Sequence, residues 1–200
     1  MARRFPTAVL AAAGALLALT VSALAAAGPA PKPGSSAIWA TVDVCNTPAH
    51  PHVIGIRGSM PGTGDRQETM FMSFAIEYRD RQGRWQPLAG AGSSGFFALG
   101  DATSRRRQAG QDFTIATKKA HTYLLRGVVT FEWRLRGAVV ASAVRSTTAG
   151  HHAGAGADPP GYSASVCAIA LKSRGSLVIT PVTPSAARRA SSVALLTVHT

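Results

Sequence analysis

The chain of 200 residues is poor in several residue types, and each shortage excludes a class of protein. Its two cysteines are too few for a disulfide-dense mini-scaffold or for a zinc site built from four cysteines. Aromatic residues make up 6% of the chain, and only 9 acidic residues stand against 21 lysines and arginines. Hydrophobic residues still reach 46%, which is too many for a disordered chain. With 20 glycines and 12 prolines, the composition also excludes a helical bundle or a coiled coil.

Sequence motifs of the common enzyme classes are missing as well. There is no G-x-S-x-G nucleophile elbow, no H-E-x-x-H zinc motif and no P-loop. The one G-x-G-x-x-G match, Gly90 to Gly95, lacks a following helix and is predicted to be a flexible loop. The acidic residues are dispersed, so a carboxylate pair for hydrolysis can form only through the fold. We therefore expect no enzymatic activity. The alternative that stays open is a secreted hydrolase whose carboxylate and histidine side chains are assembled by the fold.

The N-terminus carries the three parts of a secretory signal peptide. Arg3 and Arg4 precede an apolar run from Val9 to Leu24, and small residues follow. The run is about 16 residues long, which is shorter than the roughly 20 residues of a membrane-spanning helix. We expect a signal peptide over residues 1–27 and a Pro/Gly/Ser linker over 28–36. The mature protein is then secreted to the medium or the cell envelope, without a transmembrane segment.

The middle of the chain alternates between apolar and polar residues, which is the pattern of half-buried β-strands. Within 69–79, one face collects Met70, Met72, Phe74, Ile76 and Tyr78. Within 123–135, one face collects Tyr123, Leu125, Val129, Phe131, Trp133 and Leu135. Arg136-Gly137 follows as a tight turn, because glycine tolerates positive φ.

These windows predict an all-β domain over residues 37–170. About seven to nine short strands bury their apolar faces best in a two-sheet antiparallel β-sandwich. A closed barrel is the alternative arrangement. Residues 171–200 are predicted to form a poorly ordered C-terminal tail.

At the level of the fold, the chain resembles the immunoglobulin-like and fibronectin-III-like sandwiches of secreted bacterial proteins. The resemblance rests on the strand count, on the long strand 123–135 with its Trp133, and on the hairpin that follows. It covers residues 37–169 and implies an immunoglobulin-like arrangement. It transfers no functional residues, because such sandwiches host many unrelated functions.

Cys45 and Cys167 predict one disulfide bond. An exported chain folds in an oxidising compartment, where an even number of cysteines favours pairing. The bond would close a loop of 122 residues, for which chain entropy sets an upper limit of about 4–5 kcal/mol of stabilisation. Two buried free thiols are the alternative.

Two histidine pairs are the candidate metal ligands, namely His50 with His52 and His151 with His152. Imidazoles bind zinc or copper, and an H-x-H spacing on a strand points both rings to one face. Only Asp158 supplies a carboxylate close to either pair in the sequence, and the second pair lies in a Gly/Ala-rich loop. We therefore expect no metal site and no cofactor, while weak metal binding by these four histidines stays open.

Two clusters of basic residues indicate which classes of partner the protein could attract. Arg105–Arg107 and Lys118–Lys119 can attract an anionic envelope polymer through charge. They lack the aromatic interleaving and the motifs of nucleic-acid binding, so no specific nucleic acid is expected. Among the tryptophans, Trp39 and Trp85 are candidates for exposure.

The sequence as a whole predicts a secreted, non-enzymatic β-sandwich module with a binding or structural role. Its partner is unknown from the sequence, and a protein or an anionic envelope polymer are the two classes considered. We expect contact through the loops at residues 58–68 and 89–108.

Overall fold

The computed structural model describes residues 36–116, 121–171 and 190–195. These residues contain ten β-strands and no α-helix, and nine of the strands lie between Trp39 and Leu171. The strands are β1 (Trp39–Cys45), β2 (Val53–Pro61), β3 (Glu68–Arg79), β4 (Trp85–Pro87), β5 (Ser93–Asp101), β6 (Arg106–Ala116), β7 (His121–Leu135), β8 (Ala138–Ser146), β9 (Cys167–Leu171) and β10 (Ala190–Leu195). A single 3-10 turn, Gly90–Gly92, precedes β5. The predicted all-β class is confirmed.

Several sequence predictions concern residues outside the described ranges. The signal peptide at 1–27 lies there, as do the linker up to residue 35 and Lys118–Lys119. The tail at 171–200 is described only in part, with β10 as its strand. The limits proposed for these segments stay predictions. Within the described ranges, no helix has the length and apolarity needed to cross a membrane.

Two sheets form the sandwich. The four-stranded sheet has the order β1-β2-β6-β10. The six-stranded sheet has the order β4-β3-β7-β8, with β5 also paired to β3 and β9 also paired to β7. The pairings are antiparallel apart from that of β10 with β6, which is parallel. The predicted two-sheet sandwich is therefore confirmed.

The core lies between the sheets and is built from every second residue of the long strands. In β3 and β7 the predicted inward faces are buried except at the strand ends, where Tyr78 and Leu135 are half-buried, and Trp133 is only 1% exposed. The indole nitrogen of Trp133 donates a hydrogen bond of 3.0 Å to the carbonyl oxygen of Pro61. Burying each large apolar side chain contributes about 1.5–3 kcal/mol, so this alternation supplies the main force that holds the sheets together.

Glycine lets the sheets approach closely at one central point. Gly127 of β7 faces Ile56 of β2, and a Cβ atom placed on Gly127 would lie 2.5 Å from Cδ1 of Ile56. Such a distance is a steric clash, so the absence of a side chain at this position sets the local spacing of the sheets.

The hairpin between β7 and β8 has the turn that the sequence predicts. Arg136 has a φ of 51° and Gly137 a φ of 87°. Two successive residues with positive φ define a type I′ turn, whose twist matches that of the flanking strands.

The disulfide bond between Cys45 and Cys167 is present, which confirms the predicted pairing. Cys45 ends β1 in the four-stranded sheet, whereas Cys167 begins β9 in the six-stranded sheet. The bond therefore joins the two sheets across the core, at a sequence separation of 122 residues.

Candidate binding face

In the four-stranded sheet, the outer face of β1 and the neighbouring part of β2 are covered by residues 147–166, which we call the cover loop. Strand β1 is buried on both faces, including the outward side chains of Thr41 and Asp43. The cover loop also caps the edge of β1, because Val42 and Ala164 exchange two backbone hydrogen bonds of 2.9 and 3.0 Å. An edge capped in this way cannot accept a strand from another chain.

Side-chain contacts fasten the cover loop to β1. The rings of Trp39 and His151 stack with their centroids 4.4 Å apart. The hydroxyl groups of Thr41 and Ser163 form a hydrogen bond of 2.7 Å. The expectation that Trp39 could be exposed is wrong, because the cover loop shields the strand face opposite the core and leaves Trp39 9% exposed.

A buried ion pair lies beneath the same loop. The guanidinium Nε of Arg57 is 2.8 Å from a carboxylate oxygen of Asp43. Gly154 lies directly against Arg57, because a Cβ atom on Gly154 would be 2.8 Å from Cδ of the arginine. The loop therefore excludes water from a pair of opposite charges, which strengthens their attraction.

The first histidine pair does not converge on a common ligand position. Nδ1 of His50 lies 2.8 Å from Asp158, whose carboxylate also accepts a hydrogen bond from the Thr47 hydroxyl. These bonds, that of Thr47 foremost, lower the pKa of Asp158 below its ordinary value. His52 instead stands in the left-handed region with a φ of 60°, and its backbone N–H donates to the Asn46 side chain.

The second pair is engaged by the cover loop itself. His151 has its Nε2 3.0 Å from the Thr148 hydroxyl, and burial lowers the pKa of this histidine. Nδ1 of His152 lies 2.7 Å from the carbonyl oxygen of Gly161. Among the described residues, no three His, Cys, Asp or Glu side chains gather into a group that could hold a metal ion.

The dispersed carboxylates meet arginines. The ion pairs within 4.0 Å are Asp43–Arg57, Glu77–Arg126, Asp80–Arg84, Asp101–Arg107 and Glu132–Arg134. Glu68 accepts a hydrogen bond of 2.6 Å from Thr63. These contacts engage six of the nine carboxylates.

The outer face of the six-stranded sheet has no such cover among the described residues. Paired residues on the adjacent strands β8, β7, β3 and β5 line up in rows that run across this face. One such row consists of Val144, Thr130, Ser73 and Phe96. Three large hydrophobic side chains of the described ranges are exposed, and this face carries all of them: Phe96 at 43%, Val139 at 52% and Val144 at 54%. They do not form one contiguous patch, but their common position on this face makes it the candidate for an interaction surface.

Two arginines lie flat against aromatic rings on this face. In the first cluster, the guanidinium of Arg126 is 4.5 Å from the ring centre of Trp85 and 2.6 Å from the carboxylate of Glu77. The stacking and the ion pair together fix the side chain in one orientation, so the arginine is held in place before any partner arrives.

The second cluster is built around Arg134. Its guanidinium lies 4.2 Å from the ring centre of Phe71 and 4.8 Å from that of Phe96. Glu132 accepts from it at 2.6 Å. Phe71 is an apolar residue on the otherwise polar outward side of β3, and the structure places it in this outward cluster.

Small side chains separate the two clusters. Ser73 pairs with Thr130, and Ala75 pairs with Val128, in adjacent positions of β3 and β7. We call these four residues the floor of a central trough, of which the two clusters form the walls. The floor is low because none of its side chains is longer than that of valine.

The face is close to electrically neutral, although the chain is basic. Each clustered arginine has its own carboxylate, and the described ranges hold all nine acidic residues but only 12 of the 21 basic ones. Of the predicted basic cluster, Arg105 and Arg106 are exposed, whereas Arg107 is 3.9 Å from Asp101.

The loops expected to contact a partner are largely strands. Strand β2 extends to Pro61, and β5 with the start of β6 occupies most of residues 89–108. Residues 62–67 do form a loop between β2 and β3, whereas strand pairing extends β5 and β6 into the second segment. Contact of a partner with either segment stays a prediction. Comparisons with protein-family models, with curated proteins and with solved structures find no match for this chain.

Proposed function

We propose that this protein is an exported, non-catalytic binding module, immunoglobulin-like in its fold, that recognises a protein partner through the outer face of its six-stranded sheet. Export rests on the N-terminal sequence, with its basic start, apolar run and small residues. The observation that carries the proposal is the contrast between the sheets. The cover loop shields β1 and the adjoining part of β2 on one sheet, while the other sheet presents two arginine–aromatic clusters and three exposed hydrophobic side chains.

The composition of the face favours a protein as the partner. Aromatic residues and arginine are enriched in protein interfaces and dominate their binding energy. Arg126 and Arg134 are held by a ring and a carboxylate, so little side-chain entropy is lost when a partner binds.

An anionic envelope polymer is less well supported. The counterions of both clustered arginines are already supplied by Glu77 and Glu132. A polyanion would have to displace these carboxylates from the arginines. The free energy lost in breaking the two ion pairs offsets the attraction between the polyanion and the arginines.

The immunoglobulin-like part of the proposal rests on two features. A disulfide bond joins the two sheets across the core, and Trp133 packs in that core on a long strand. Immunoglobulin domains also combine an inter-sheet disulfide with a buried tryptophan, but there the tryptophan packs against the bond. Here Trp133 lies eight residues along β7 from Leu125, which pairs with Cys167, so the likeness is one of composition and not of position.

Site-specific photocrosslinking in the exporting cells tests the proposal. A benzophenone amino acid replaces Phe96 on the open face, and a matched control replaces Ala153, which is exposed on the cover loop of the closed side. We expect one discrete protein adduct from position 96 and none from 153. In a background carrying Arg134→Ala, the adduct at position 96 should fall at least tenfold.

Equal labelling from both positions, or no adduct from position 96, would overturn the proposal. Loss of the adduct in modest salt would indicate attraction by charge alone. Circular dichroism of each variant checks that the sandwich is retained.

A further inference from the structure

Several edges of the two sheets carry a feature that hinders the pairing of a further strand. The cover loop caps β1 through the backbone bonds between Val42 and Ala164. Strand β8 contains a bulge, and Nη1 of Arg145 donates a hydrogen bond of 2.8 Å to the carbonyl oxygen of Val144. Strand β5 has two irregularities in its register with β3, and β4 and β9 are only three and five residues long. Each of these edges is blunted by its own local structure.

Strand β6 would be a regular open edge of its sheet without β10. Its register with β2 runs over nine residue pairs with no irregularity. The N–H group of Ile115 donates to the carbonyl oxygen of His52. Because the backbone groups of an antiparallel strand alternate in direction, those of Asp112, Thr114 and Ala116 point away from β2. These groups form a row of donors and acceptors, which is a template for a further strand.

Strand β10 of the same chain occupies this template. Ala190–Leu195 pairs with residues 111–116 of β6, and this is the one parallel pairing among the described strands. Parallel ladders are slightly less stable per residue than antiparallel ones. Beyond β6, the main contacts of β10 are with the 3-10 turn Gly90–Gly92. The strand is therefore held to its sheet along one side, by a short parallel ladder.

The length of chain before β10 allows this strand to come from a second copy. Strand β9 ends at Leu171 in the six-stranded sheet and β10 begins at Ala190 in the other sheet, with the 18 residues 172–189 between them. A link of this length can span up to about 60 Å, whereas a domain of about 130 residues has a radius of gyration of about 14 Å. The strand can therefore reach the β6 edge of its own chain or that of a neighbour.

We infer that the β6 edge is a binding site for an extended strand parallel to β6, and that a second copy of this chain fills it by exchange of β10. The incoming strand has the same sequence as the strand that it replaces, so every backbone pairing with β6 is kept. Exchange of an identical element between copies needs no new contact surface and is a known route to dimers. The inference is independent of the proposed binding face, which lies on the other sheet.

The extent of exchange follows from competition between the two sources of the strand. A strand tethered to its own chain competes at an effective concentration of about 1 mM. At a protein concentration of about 0.1 mM, about one tenth of the sites should therefore hold the strand of another copy. At about 1 µM the exchanged share should be negligible.

A pair of introduced cysteines across the ladder tests the inference. Thr114 and Val193 are paired, and paired Cα atoms of neighbouring strands lie about 4.8 Å apart, which a disulfide bond can bridge. The full chain with Thr114→Cys and Val193→Cys is equilibrated at about 1 µM and at about 0.1 mM and is then mildly oxidised. Non-reducing electrophoresis and mass spectrometry separate a bond between positions 114 and 193 within one chain from the same bond between two chains.

We expect the share of dimer linked from 114 to 193 to rise at least tenfold between the two concentrations. Ser192 is paired with Phe113, so its N–H group is one of those directed to β6. Ser192→Pro removes this donor and should lower the yield of the bond in both species at least tenfold. Ser192→Thr, which keeps the donor, is the matched control and should leave both yields unchanged.

Two results would overturn the inference at different levels. A bond that forms only within one chain at both concentrations makes β10 a fixed strand and removes the exchange. Failure of the bond in every species removes β10 from the β6 edge and with it the site. Equal yield when Ala190→Cys replaces Val193→Cys has the same consequence, because Ala190 is paired with Gln111. None of these results alters the crosslinking expected at position 96, so the proposed function is tested separately.

Discussion

The carboxylate of Asp43 and the guanidinium of Arg57 form an ion pair of 2.8 Å, with only 1% and 10% of these side chains exposed. The pair lies between β1–β2 and the cover loop, where Gly154 rests against the arginine. Because the charges are removed from water, neither can lose its partner without a large desolvation cost.

This relationship predicts a strong effect of Arg57→Ala on stability. The substitution leaves the carboxylate of Asp43 buried without its arginine, so the free energy of unfolding should fall by about 3–5 kcal/mol. Urea unfolding of the parent and the variant measures this difference in the free energy of unfolding. The matched control is Arg84→Ala, because the Asp80–Arg84 pair has an arginine side chain that is 68% exposed, and no measurable change is expected there. Equal effects of the two variants would contradict the buried role of Arg57.

Removal of the inter-sheet disulfide should weaken the sandwich. The double variant Cys45→Ala, Cys167→Ala releases a closed loop of 122 residues, so the free energy of unfolding should fall by about 2–4 kcal/mol. Thermal unfolding of the two proteins measures the difference. An unchanged midpoint, with the bond shown to be intact in the parent by mass spectrometry, would speak against a stabilising role.

The close approach of the sheets predicts coupling between Gly127 and Ile56. Gly127→Ala forces a Cβ atom into the isoleucine and should cost about 1–3 kcal/mol, while Ile56→Ala opens a cavity and should cost about 2–5 kcal/mol. The double variant should cost clearly less than the two added together, because the second change removes the clash. Strict additivity in urea unfolding would rule out this contact.

Stability should depend on acid pH through Asp158. Hydrogen bonds from Thr47 and His50 depress the pKa of this carboxyl in the folded protein, so its stabilising effect is complete above the unfolded pKa of about 3.9. The effect is lost as the pH falls further, through the folded pKa. Asp158→Asn should therefore lower the denaturation midpoint at pH 7 and bring it closer to the parent at pH 3. A variant that loses equal stability at both pH values would contradict this assignment.

The open face should contribute little to folding. Phe96→Ser and Val144→Ser change exposed side chains, so each should alter the free energy of unfolding by less than about 0.5 kcal/mol. Phe74→Ser, on the buried face of the same sheet, is the control and should be severely destabilising. A large loss of stability in the exposed variants would indicate that these side chains are structural, and would weaken their use as binding probes.

The alternation of residues along β3 and β7 was sufficient to predict which side chains enter the core, because a strand turns successive side chains to opposite faces. The type I′ turn at Gly137 followed from local backbone preference alone. The ends of β2 and β6 were not predictable in this way. Polar residues such as Arg106 and Gln108 join β6 because they pair with Pro61 and Ser59 of the neighbouring strand β2.

The outer face of the six-stranded sheet shows the same division. The sequence marks Arg134, Phe71 and Phe96 as isolated residues up to 63 positions apart, with no motif that joins them. Only the pairing of β3 with β5 and β7 brings them into one stack.

The sequence by itself therefore determined the strands, the sandwich and the cysteine pair, because local alternation and the count of residue types are properties of the chain alone. The tertiary structure decided which outer face is closed and which is open. That outcome depends on where the cover loop lies, and a loop rich in glycine and alanine carries no periodicity that could reveal which strands it will contact. The contacts of Trp39, Asp43 and Arg57 with that loop exist only after residues far apart in the chain have been brought together.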